Sequence, residues 1–111
     1  MTVIMLLLSA VLAFVAVPTF AADAVSELTL TIEGNRFGAE EIKVPAGKPF
    51  VLVVTNKDTA AEEFESKDLR IEKIIPGGKT VRLKMPPLKA GTYPFIGDYH
   101  EKTAKGRIVA E

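Results

Sequence analysis

The chain has no cysteine and a single histidine, His100. Without a thiol there is no disulfide, no thiolate metal site and no cysteine nucleophile, so the fold must rest on its own apolar packing. Charge is missing from one stretch. Residues Met1 to Ala21 hold no Asp, Glu, Lys or Arg, and all 14 basic and all 14 acidic residues follow it. The formal net charge is zero and no basic cluster exists, which argues against nucleic acid as a partner. Beyond the uncharged stretch, no window keeps apolar residues at helical spacing over a dozen positions. Repeats are absent as well, and 111 residues without repeats make one domain.

The uncharged stretch is itself informative. Its run from Val3-Ile4-Met5-Leu6-Leu7-Leu8 to Phe14-Val15-Ala16-Val17 reads as the apolar core of a secretory signal, broken by Pro18. Small residues in Thr19-Phe20-Ala21 and again in Ala22-Asp23-Ala24 place a cleavage point after residue 21 or as late as 24. The expected organisation is a signal peptide over 1–21 and one globular domain over 22–111. The run is near the lower limit for crossing a bilayer, and no Lys or Arg precedes it, so an uncleaved anchor is the alternative. Only that anchor would bring the protein to a membrane.

The remainder alternates apolar and polar residues in short runs punctuated by Pro and Gly. Leu28, Leu30 and Ile32 share one face of a first strand, and Ile42 with Val44 continues the pattern. Phe50-Val51-Leu52-Val53-Val54 is continuous and β-branched, as in a strand covered on both faces. Val81, Leu83 and Met85 alternate again, so Met85 is accounted for as a core residue. Runs at 92–96 and 107–109 supply the last strands. The pattern predicts an all-β sandwich of about seven strands, with one helical turn at most over Thr59 to Glu63.

Two clusters carry the available chemistry. Asp98, His100 and Glu101 follow the strand ending at Ile96, on a loop at one end of the sandwich. Two apart, Asp98 and His100 face one side if the segment is extended. Glu62-Glu63-Phe64-Glu65 is the other cluster. With Phe64 turned inward, Glu63 and Glu65 share the opposite direction, and carboxylates this close repel unless a cation offsets them. A solvated acidic edge with Lys67 and Arg70 as neighbours is the plainer account. Glu72 is a weaker candidate that orients a ligand at most. No nucleophile elbow surrounds Ser26 or Ser66, and Gly77-Gly78 sits in a turn rather than a phosphate cradle.

Two stretches together resemble the cupredoxin family. They are Val53-Val54-Thr55-Asn56 running to Glu62-Glu63-Phe64, and Gly91-Thr92-Tyr93-Pro94-Phe95-Ile96-Gly97-Asp98-Tyr99-His100 running to Gly106-Arg107-Ile108-Val109. The resemblance implies a Greek-key cupredoxin-like β-sandwich. It also places Glu62 near the family's first histidine ligand, Gly97 or Asp98 at the cysteine, and Ala104 or Lys105 at the axial methionine. Only His100 matches a blue-copper ligand. A blue-copper centre needs two histidines and a thiolate, so that form of electron transfer is excluded. The motif Glu63-Phe64-Glu65 with Gly97-Asp98-Tyr99-His100 is similar to the EfeO-type cupredoxin-like domains that accompany bacterial iron permeases. That similarity implies a periplasmic protein binding an iron or copper ion through Glu62, Glu63, Glu65, Asp98 and His100. It further implies an iron permease or another transport component as partner. The alternatives are a metal-free interaction module of the same fold and a ferroxidase working beside the permease.

Overall fold

The structure is a computed structural model that describes residues 2–5, 9–17 and 25–111. The expected cleavage triplets lie outside the described residues. Residues 2–5 and 9–17 are exposed and carry no regular structure, and no helix among the described residues is long and apolar enough to cross a membrane.

Among the described residues, nine strands follow in chain order: β1 (Ser26–Glu33), β2 (Arg36–Phe37), β3 (Glu41–Val44), β4 (Phe50–Asn56), β5 (Glu62–Ser66), β6 (Ile71–Ile75), β7 (Thr80–Met85), β8 (Gly91–Gly97) and β9 (Lys105–Ala110). They form two sheets, ordered β2-β1-β4-β7 and β3-β9-β8-β5-β6. Nine exceed the expected seven because Arg36–Phe37 and Glu62–Ser66 also take strand geometry. The pairs β1–β4 and β3–β9 are parallel, since the chain crosses between sheets instead of folding back on itself.

Alternation decides which side chains meet between the sheets. Leu30, Ile32, Leu52, Val54, Leu83 and Met85 line the inner face of one sheet. Ile42, Val44, Phe64, Phe95 and Ile108 line the other. Strand β4 lies between β1 and β7 and is the most thoroughly buried, as its unbroken apolar run predicts. Toward the end that carries the acidic residues, Phe37, Phe64 and Phe95 interlock, with ring centroids 4.9 to 6.1 Å apart. Edge-on and offset contacts of this kind add about 1 kcal/mol per pair to plain burial. This wedge of three rings is the rigid floor beneath the candidate site.

The connections at that end are tied to one another. Gly34 and Asn35 both adopt left-handed backbone, with φ of 63° and 57°, the geometry of a two-residue hairpin turn. The Asp58 carboxylate accepts hydrogen bonds from their two amides at 2.8 and 3.0 Å. These bonds hold its carboxyl below the ordinary aspartate range. Thr103 Oγ1 donates to the Asn35 carbonyl at 2.6 Å. One small turn therefore fixes both the β4–β5 and the β8–β9 connections. Buried Asn56 closes the first of these: its side chain bonds the Ala60 and Ile75 carbonyls and accepts from the Asp58 amide. Extended backbone resumes at Glu62, so the helical turn expected over Thr59 to Glu63 does not form.

Candidate metal centre

Strand β5 presents carboxylates on both of its faces. Glu62, Phe64 and Ser66 point into the sandwich and are buried, whereas Glu63 and Glu65 point outward and are half-buried. Phe64 sets this phase, because turning its ring outward would expose the largest apolar group of the strand. Strand β8 ends at Gly97, and a one-turn 3-10 helix over Asp98–His100 follows.

Glu62 is 1% exposed, yet its carboxylate is fully partnered. Oε1 accepts from the amides of Glu63 at 3.0 Å and Tyr99 at 2.9 Å. Oε2 lies 2.6 Å from His100 Nδ1. With two amides already aimed at the carboxylate, the ionised acid is the acceptor and Nδ1 carries the proton that joins the pair. Burying a carboxylate without such partners would cost several kcal/mol. Among the described residues, no buried side-chain polar atom lacks a hydrogen-bond partner.

On the outer face the situation reverses. One oxygen each from Glu63, Glu65 and Asp98 lie within 4.8 Å of one another. Partial burial raises the Glu65 carboxyl above its ordinary range, and the neighbouring Asp98 carboxylate raises it further, with Glu72 across the strand pair adding to this. Tyr99 beside them is also raised, first by partial burial and then by the charge of the neighbouring Glu63. These acids press on one another and have no basic partner among the described residues; Lys67 relieves Glu65 only in part. Such a trio suits a hard cation, whose charge offsets the repulsion and whose preferred donors are carboxylate oxygens.

All five residues singled out in the sequence thus gather at one end of the sandwich, but in two groups. Glu62 pairs with His100 inside, and Glu63, Glu65 and Asp98 cluster outside. Asp98 and His100 do not share a direction, because the 3-10 turn replaces the extended segment and swings them apart. Two residues not counted as site residues shape the inner group. A Cβ built on Gly97 would stand 2.6 Å from Glu62 Cδ and 2.7 Å from the Ala104 Cβ. The signal in the sequence was the resemblance, which puts the cysteine on Gly97 or Asp98 and the axial methionine on Ala104 or Lys105.

A blue-copper ion does not fit these residues. There is one imidazole, its Nδ1 is engaged, and the space beside it holds a carboxylate in place of a thiolate.

Comparison with known proteins agrees with this architecture. The family described as cupredoxin-like domain matches residues 4–110. An uncharacterised protein of Rickettsia prowazekii (strain Madrid E) is 37% identical over 87 residues, covering 78% of this chain and 70% of that protein. Auracyanin A, a blue copper protein of Chloroflexus aurantiacus, is similar in fold, with a TM-score of 0.68, 15% identity and coverage of 79% of this chain and 100% of that one. Amicyanin of Paracoccus versutus gives a TM-score of 0.60 at 17% identity, covering 83% and 85%.

Proposed function

Because the chain belongs to the cupredoxin-like domain family, we propose that it is an exported metal-binding protein that holds an ion without shuttling electrons. The ion is taken by Glu63, Glu65 and Asp98. The observation that supports this is the mutual approach of their three carboxylates to within 4.8 Å, with no ion-pair partner for them among the described residues. Oxygen donors favour the more highly charged oxidation state, so ferric iron is the first expectation and copper(II) the second. In this reading Glu62 and His100 stand behind the site and stiffen its loop. The uncharged N-terminal run directs the chain to the periplasm. There it serves a bacterial iron or copper uptake system, with a permease or a neighbouring transport component as its partner.

Calorimetric titration of the purified protein with iron and with copper(II) tests the assignment. One binding event is expected, weakened about tenfold or more by Glu63→Gln, Glu65→Gln or Asp98→Asn. Equal affinity in all three variants and the wild type rejects it.

The satisfied inner pair favours a second reading, a metal-free interaction module. A protein that binds an ion in its native state melts higher when the ion is present. A melting temperature unmoved by iron, copper or chelator supports the module.

A further inference from the structure

The inner group carries an inference that does not depend on the outer carboxylates. A blue-copper ion is held by two histidines and a thiolate, and the resemblance draws these from β5 and from the closing loop, so the ion joins the two. Here Glu62 reaches across the same gap. Its carboxylate bonds the Tyr99 amide at 2.9 Å and His100 Nδ1 at 2.6 Å, both on the far side. We infer that the Glu62 carboxylate occupies the place of the copper ion. It ties β5 to the β8–β9 loop and fixes the chain's single imidazole with its proton on Nδ1.

Gly97 supports this most directly. Its backbone, φ −90° and ψ 103°, is ordinary extended geometry that any residue adopts, so conformational freedom does not explain a glycine there. Space does. An added Cβ would meet Glu62 Cδ at 2.6 Å, Glu62 Oε2 at 2.8 Å and the Ala104 Cβ at 2.7 Å. Ala104 is itself completely buried and is locked by backbone bonds to His100 and Gly97. Two of the smallest residues thus flank the carboxylate at positions the resemblance allows for the cysteine and the methionine, and the buried acid fills the volume they leave. The pocket is closed by design of size as well as by loss of ligands. One consequence concerns His100: with Nδ1 engaged, only Nε2 can meet anything outside the fold.

Three measurements on the full chain test the inference. Gly97→Ala lowers the denaturation midpoint of the wild-type protein. In a Glu62→Ala background, where the obstructing carboxylate is gone, the same change lowers it by distinctly less. Equal losses in both backgrounds overturn the inference. Nitrogen-15 spectra of wild-type His100 show a protonated Nδ1, and Glu62→Gln disturbs that pattern. A wild-type spectrum with the proton on Nε2 alone contradicts the pairing. Finally, Glu62→His, Gly97→Cys and Ala104→Met combined rebuild two imidazoles, a thiolate and an axial thioether around the vacated volume. The folded triple variant acquires the intense visible thiolate-to-copper band on adding copper(II), which the wild type lacks. A folded triple variant that remains colourless places the carboxylate elsewhere than in the copper position.

Discussion

The two faces of strand β5 make a controlled comparison. Glu62 and Glu63 are neighbours in sequence and identical in chemistry, yet one is buried with three partners and the other lies half-exposed in a crowd of acids. Burial alone does not decide which is the more comfortable. The inner carboxylate is satisfied by two amides and an imidazole, so its charge is an asset to the folded state. The outer ones are surrounded by their own kind, and the folded state holds them together at a cost that a bound cation removes. A stable acid and a receptive one are therefore made from the same residue by one step along a strand.

The largest way to break the comparison is to remove the inner acid. Glu62→Ala orphans two amides and the His100 Nδ1–H, and is expected to lower unfolding free energy by about 3 kcal/mol, read by chemical denaturation. Next in size is Phe64→Ala, which removes the ring that sets the phase of β5. It is expected to cost nearly as much, about 3 kcal/mol or slightly less, and to blur the division between the faces, seen as weaker metal binding at unchanged ligand identity. The outer face should respond with the opposite sign. Glu65→Gln removes one repelling charge and is expected to raise the melting temperature of the metal-free protein while weakening ion binding. A melting temperature that falls instead breaks the contrast.

The smallest effect is in pH. The Glu65 carboxyl is raised in the folded protein, so the folded state holds its proton more tightly than the unfolded chain does. Its contribution to stability is complete below the ordinary glutamate value of 4.5 and is lost as pH rises through the raised value. Asp58 behaves oppositely: lowered in the fold, it stabilises above its ordinary value of 3.8 and that support fades as pH falls. Denaturation of Asp58→Asn and Glu65→Gln across pH 3 to 7 separates the two: roughly, the first variant loses the acid-side decline and the second loses the fall above the glutamate range.

The sheets were legible because alternation is a property of the chain. Leu30, Ile32, Ile42, Val44, Leu83 and Met85 all stand inside, where the period places them. The outward pairing of Glu63 with Glu65 followed from the same rule once Phe64 was turned inward. What the pattern did not carry was the fate of Glu62. An acid in an inward phase is indistinguishable in sequence from one that ends a strand early, and its partners arrive from 37 and 38 residues away. An extended segment would turn Asp98 and His100 to one side, and no local signal marks a 3-10 turn there. The turn forms because the Tyr99 amide and the His100 ring both bond to Glu62, so the loop takes its shape from a residue in another strand.

The order of the second sheet has a consequence for how the chain acquires its structure. Strand β9 lies between β3 and β8, pairing in parallel with the one and antiparallel with the other. Until residues 105–110 are available, β3 has no neighbour in its sheet and that half of the sandwich stays open. Assembly therefore waits for the tail, and contacts that bridge most of the polypeptide close slowly.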